Sequence, residues 1–144
     1  MHIAIKRIDP TLPLPQYHTP GAAAFDFYAR EATIIPAKSL GKIPSNLIIQ
    51  TPTGYMLNVF SRSSLAQKKG LLLSNGVGII DNDYSGPTDE ILIPVYNFTD
   101  APVTVERAER IAQGVFVKVE PAEWQEVAEM TAQSRGGFGT TGLV

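Results

Sequence analysis

A chain of 144 residues, 44% hydrophobic and 18% charged, has the length of one domain and the composition of a packed globular protein rather than a disordered one. Its formal net charge of −2 gives no global positive field for nucleic acid, and the lack of cysteine removes disulfides, thiol nucleophiles and Cys-ligated zinc. With His2 and His18 as the only histidines, a His-rich metal site or a Ser-His-Asp triad has little material.

The opening MHIAIKRIDP reaches Lys6 and Pro10 before any apolar stretch develops. It reads as neither a signal peptide nor a membrane span, so the expectation is a soluble cytoplasmic protein with no membrane or nucleic-acid partner. Short apolar runs then recur at 3–5, 25–29, 47–49, 55–60, 71–73, 77–80, 91–96, 103–105 and 111–119, each closed by turn residues. They are rich in Val, Ile, Phe and Tyr, which suits strands, and eleven prolines with twelve glycines forbid long helices. The predicted fold is all-β, a distorted barrel or jelly roll over residues 1–133, followed by a flexible Gly-rich tail over 134–144.

One short helix is predicted after residue 63. Ser64-Leu65-Ala66-Gln67 fits a capping box, Lys68 and Lys69 fall in the last turn, and Gly70 suits a left-handed stop. Residues 122–133 (AEWQEVAEMTAQ) fit either a second helix or a strand and loop, with Trp124, Val127 and Met130 as the apolar positions.

Three segments have the residue types for chemistry. Ser61-Arg62-Ser63-Ser64 at the helix start combines hydroxyls, a guanidinium and free backbone amides, which is either an anion site or a serine-capped helix with a solvent arginine. The run 75–86 (NGVGIIDNDYSG) holds half of a calcium loop in Asp81, Asp83, Ser85 and Gly86, but its twelfth position is Leu92 rather than a bidentate Glu and its flanks are β-type. The remaining readings are a plain hairpin with an Asx turn at Asn82-Asp83, or a carboxylate, Asp81, at the end of a buried strand. Partial desolvation there would raise its proton affinity toward a general-base role. The tail 134–142 sets Arg135 and Phe138 among glycines and hydroxyls, a strip able to order over a phosphate and a ring.

In order, the chain carries AAAFDFYA (22–29), SRSSLAQKKG (61–70), NGVGIIDNDYSG (75–86), ERIAQGVF (109–116) and RGGFGTTG (135–142). This order and spacing resembles the five motifs of the trimeric dUTPases across nearly the whole chain. The resemblance implies a homotrimer of jelly-roll subunits with shared sites, and Mg²⁺-assisted hydrolysis of dUTP to dUMP and pyrophosphate. It assigns Asp81 to activating the water and Gln113 to positioning it. Arg62 and Ser63, with Ser64 and Gln67 alongside, take the phosphates, and Asp26 organises that side. Asn75 and the strand ending at Ile80 read the uracil edge, and Tyr84 packs under the deoxyribose. Phe138 covers the base while Arg135, Thr140 and Thr141 close on the phosphates. The Mg²⁺ is held by triphosphate oxygens and water rather than by protein ligands.

The chain departs from the pattern in four places. Ser61 and Ser64 replace a proline and a glycine of the second motif, and the first motif lacks its usual glycine near Ala24. Arg135 abuts Gly136-Gly137-Phe138 without a spacer. Residues 86–97 (GPTDEILIPVYN) are about three longer than usual, with 87–90 as the insert. Because the related dCTP deaminases use a glutamate base shortly after this motif, Glu90 keeps deamination as the alternative. A non-enzymatic β module binding calcium or nucleotide is a more distant one.

Overall fold

The computed structural model describes residues 1–137. Eleven strands and one helix follow the order β1 (Ile5–Arg7), β2 (Phe25–Tyr28), β3 (Thr33–Ile35), β4 (Leu40–Pro44), β5 (Leu47–Ile49), β6 (Tyr55–Ser61), α1 (Leu65–Lys69), β7 (Leu71–Leu73), β8 (Gly78–Ile80), β9 (Leu92–Asn97), β10 (Val103–Val105) and β11 (Arg110–Lys118). All pairings are antiparallel. A four-stranded sheet runs β2-β11-β6-β8, a three-stranded sheet runs β4-β9-β7, and β1-β5 and β10-β3 form two ribbons. The expected all-β jelly roll with one short helix is what forms, but the ladders do not close into one continuous barrel.

The core follows from strand alternation. Along β9, Ile93, Val95 and Asn97 are buried while Leu92 is exposed and Pro94 and Tyr96 are half-buried, the period of two that a one-sided sheet imposes. These side chains meet Phe27, Ile35, Ile43, Leu57, Leu71 and Ile111, all fully buried. Asn97 is the polar exception. Its side-chain amide donates to the carbonyls of Ile35, Pro36 and Ala101, and its oxygen accepts from Thr99, so the buried group is satisfied.

Strands β3 and β4 lack a clear signal in the sequence, because Pro36, Gly41 and Pro44 punctuate a stretch with poor β-propensity. Long-range partners form them instead: β10 pairs with β3, and β9 with β4. A side chain at Gly41 would strike the Ile35 side chain, so the close crossing of these strands requires glycine there.

At α1 the C-terminal expectation holds, with Gly70 at φ 65° and its N–H bonded to the Ala66 carbonyl. The capping box does not form. Ser64 sits at φ −94°, ψ −6°, already in the helical region, and its hydroxyl makes no cap bond. A serine caps from the β region, where its oxygen reaches the second or third amide. Residues 121–133 form neither helix nor strand; Trp124 is 93% and Met130 83% exposed. An amphipathic helix is held mostly by packing of its apolar face, and here that face meets nothing on its own chain.

The 75–86 run also departs from a simple hairpin. Its strand β8 pairs with β6, whereas the next strand, β9, lies in the other sheet. The segment between them is therefore a connection across the two sheets, turning at the Asp81 carbonyl, which accepts from the Tyr84 N–H. Its insert closes locally, as the Asp89 carboxylate accepts from the Gly86 N–H at 2.6 Å.

Candidate active site

The four-stranded sheet brings the first, second and fourth motifs to one end. Register places Asp26 of β2 opposite Gln113 of β11, and Ser61 of β6 opposite Ala112. Between Arg110 and Ala112 the register slips, so Arg110 faces Tyr28 while Ala112 faces Phe27. Asp26 and Tyr28 share a face of β2, and the bulge therefore puts both Arg110 and Gln113 on the face of Asp26. Without it, residues three apart would point to opposite sides.

Asp26 is the hub of this end. Only 8% exposed, its carboxylate accepts from Arg62 Nε at 3.1 Å and from Arg110 Nη1 at 3.1 Å, and lies 3.2 Å from His18 Nε2. Arg62 also donates to the Arg110 carbonyl at 3.3 Å, and Gln113 Nε2 donates to the Ser61 carbonyl at 2.9 Å. Two guanidiniums on one carboxylate leave a positive charge in excess. It borders a cavity of about 300 Å³ lined by Arg62, Ser64, Lys68, Lys69, Glu109 and Arg110. Glu109 is engaged by Lys69 at 2.9 Å, so cations outnumber carboxylates there. Charge-assisted donors around such a space suit a polyphosphate.

The other predicted residues scatter. Ser64 lines that cavity, whereas Ser63 and Gln67 are exposed beside it. Asn75, Asp81 and Tyr84 lie away from the Asp26 cluster. In the β6–β8 register Ile80 faces Leu57, so Asp81 falls level with Met56, at the far end of β6 from Arg62. Six residues of strand separate the two levels, roughly 20 Å. Asp81 is exposed, and Ile79 on its strand is 61% exposed, so the expected burial of that carboxylate is absent within the single chain. The physical reason is that β8 is an edge strand with one face uncovered. Arg135 is exposed, and Phe138, Thr140 and Thr141 lie outside the described residues.

Sequence reasoning missed Arg110 and His18 as members of the cluster. Arg110 was visible inside ERIAQ, but only the bulge gives it the right face; His18 carries no local signal. Glu90 is also accounted for. Its carboxylate takes Arg30 Nε at 2.9 Å and Nη2 at 3.1 Å, and its Oε1 also accepts from the Asn46 N–H at 2.8 Å. The carboxylate beside it pushes the Arg30 guanidinium up from its usual range, against a smaller opposing effect of burial.

Fold and site together define the phosphate side of a jelly-roll nucleotide hydrolase. The dUTPase family model matches residues 11–142, and the chain belongs to the dUTPase family. It is 46% identical over 147 residues to a deoxyuridine 5'-triphosphate nucleotidohydrolase of Desulfitobacterium hafniense, covering 98% of this chain and 95% of the relative. The corresponding Dictyoglomus turgidum protein is 38% identical over 149 residues, with 99% of each covered. The crystal structure of the Streptococcus mutans dUTPase superposes with a TM-score of 0.77 at 34% identity, over 83% of this chain and 98% of that one. A Staphylococcus bacteriophage 80alpha dUTPase shares the fold, with a TM-score of 0.85 at 22% identity and 99% coverage of both chains.

Proposed function

We propose that this chain hydrolyses dUTP to dUMP and pyrophosphate, by attack of a water molecule on the α-phosphorus. The observation that carries the reading is the shared carboxylate of Asp26, which aims two guanidiniums at a cationic cavity in the sheet whose strands hold three family motifs. Phosphoryl displacement depends on positioning and charge neutralisation more than on covalent machinery. In this reading Arg62, with Ser63, Ser64 and Gln67, holds the triphosphate, and Arg110 joins them. Gln113 ties β11 to the start of the second motif through Ser61 and so keeps Arg62 and the water in register. Asp81 takes the proton as the water oxygen bonds to phosphorus, while the bond to the α,β-bridging oxygen breaks and pyrophosphate leaves. Asn75 and the backbone near Ile80 read uracil, whose O4 acceptor and N3–H donor are both reversed in cytosine. Tyr84 packs against the deoxyribose. Arg135, Phe138, Thr140 and Thr141 close the site.

The roughly 20 Å between Asp81 and Arg62 along β6 supports an assembly in which a neighbouring copy supplies the hairpin. A homotrimer with sites between subunits meets that requirement. The residues also fit Mg²⁺ carried by the substrate. Among the described residues no three His, Asp or Glu gather as a ligand set. Mg²⁺ keeps most of its waters and binds phosphate oxygens, so it needs no such cage. When bound, it would neutralise charge on the triphosphate and the leaving pyrophosphate. Acting on a free nucleotide pool, the enzyme is placed in the cytoplasm.

Deamination of dCTP fits less well. Its candidate base, Glu90, already accepts three hydrogen bonds from Arg30 and Asn46, which leaves it no role in moving protons. A panel of dUTP, dCTP, dTTP and UTP with Mg²⁺, assayed separately for pyrophosphate and ammonia, tests the proposal. Pyrophosphate from dUTP alone is expected. Ammonia from dCTP, or no pyrophosphate from dUTP, would overturn it.

A further inference from the structure

The inserted residues 87–90 hold a contact that the hydrolysis reading leaves unexplained. Tyr84 donates its hydroxyl hydrogen to the main-chain carbonyl of Glu90 at 3.1 Å. Glu90 is itself one of the most constrained residues of the connection. Its side chain is 12% exposed and held at both oxygens by the planar fork of Arg30, whose own side chain is 27% exposed. The Asn46 N–H adds a third bond, from the turn between β4 and β5. Arg30 directly follows β2, and its main-chain N–H bonds to the Pro44 carbonyl at 2.8 Å. On the other side of Glu90, the Ile91 N–H bonds to the Leu47 carbonyl at 2.9 Å. An otherwise exposed ring, Tyr84, is thus joined by one hydroxyl to a residue anchored in the rigid core.

We propose that Arg30 and Glu90 are positioning residues for sugar discrimination: their bidentate ion pair fixes the Glu90 carbonyl, and that carbonyl sets the height of the Tyr84 ring. The inference rests on the reading of Tyr84 as the floor of the deoxyribose pocket. A ring that excludes a 2′-hydroxyl by contact must be held to a few tenths of an ångström, because a small displacement opens room for an oxygen atom. Tyr84 is 41% exposed, so core packing does not immobilise it, and the Glu90 carbonyl is the hydrogen-bond partner its hydroxyl finds. A bidentate guanidinium–carboxylate pair restricts orientation as well as distance, which a lysine in place of Arg30 would not do.

The test compares dUTP with UTP in Glu90→Gln, Arg30→Gln, Tyr84→Phe and Tyr84→Ala, and in the double variant Glu90→Gln/Tyr84→Phe, using the full chain. Substitution of either partner is expected to reduce the preference for dUTP over UTP about tenfold, the scale of one group gained or lost in a pocket, mainly through KM. The ratio is unaffected by a smaller folded fraction, since both substrates meet the same enzyme, so reduced stability cannot mimic the effect. If the effect passes through the tyrosine hydroxyl, Glu90→Gln in the Tyr84→Phe background changes the ratio less than about twofold, a non-additive cycle. Equal effects of Glu90→Gln in both backgrounds, or an unchanged ratio in Glu90→Gln and Arg30→Gln, would overturn the proposal. Tyr84→Ala separates the two levels of inference. Lost discrimination there with none lost in Glu90→Gln refutes the strap alone, and intact discrimination in Tyr84→Ala refutes the placement of Tyr84 under the sugar and the strap with it.

Discussion

Replacing Asp26 by asparagine removes the charge that holds the cationic end of the sheet together while leaving its volume almost unchanged. The carboxylate is 8% exposed and accepts from Arg62 and Arg110 at 3.1 Å each. A hydrogen bond to a charged group contributes about 1.5–3 kcal/mol when its partners are well buried. Here the Arg62 and Arg110 side chains are 27% and 42% exposed, and water recovers part of that for each. Two bonds at roughly half strength, with the asparagine oxygen still accepting one of them, put the loss at about 1–2 kcal/mol. For a domain of this size that lowers Tm by roughly 3–8 °C. The effect on turnover should be larger. Both guanidiniums lose the anchor that aims them at the cavity, and misplacement by about 1 Å of a group that binds the reacting phosphates costs on the order of 100-fold. Pyrophosphate release under dilute dUTP, with a thermal melt on the same sample, separates the two quantities. A kcat/KM within about threefold of the parent at full folding would refute the assignment of Asp26 as the organiser of the phosphate side.

Three further outcomes follow from the geometry and the proposed roles. Asp81→Asn should lower the rate of pyrophosphate release by about 10²–10⁴-fold, with binding of a non-hydrolysable dUTP analogue within a few-fold of the parent by calorimetry; retained turnover removes Asp81 as the base. Deleting the chain from Ser134 should depress kcat/KM at least tenfold yet leave the melting curve in place, since residues 119–136 are exposed and add little to the core; an unchanged rate means the tail closes nothing. Asp9 supplies a pH dependence. The Thr11 hydroxyl first, then Arg107, hydrogen-bond its carboxylate and hold it down from 3.8 to about 2. Because the folded value is depressed, the stabilisation is present above the unfolded value near 4 and lost as pH falls through about 2. Asp9→Asn should therefore flatten the fall in Tm between about pH 4 and pH 2, and an identical acid limb in both proteins contradicts this.

The cavity chemistry also bears on how the second motif works in this chain. Its departures, Ser61 and Ser64, leave a hydrogen-bonding scaffold of their own. The Ser61 carbonyl accepts from Gln113, and Ser64 lines the cavity without capping the helix. A five-residue helix contributes little dipole, so the attraction for phosphate comes from Arg62, Arg110, Lys68 and Lys69 rather than from the helix start.

Local rules carried much of this protein in the sequence itself. Alternating apolar runs closed by Gly and Pro specify most of the strands, because a half-buried strand needs one apolar face every second residue. Gly70 marks the end of α1 because a left-handed stop is costly for other residues. The five motif segments are contiguous, so their order and spacing are legible without coordinates. What required the folded chain is long-range. Strands β3 and β4 exist because β10 and β9 pair with them, against weak local propensity. The capping box fails because Ser64 already has helical dihedrals. Arg110 joins Asp26 through a bulge, a change of face that residue counting reverses. Glu90, which spacing alone offers as a free base, is consumed by Arg30, 60 residues away in sequence. Periodicity and turn chemistry are encoded locally, whereas which side chain meets which carboxylate depends on register between distant strands, and only tertiary packing decides that.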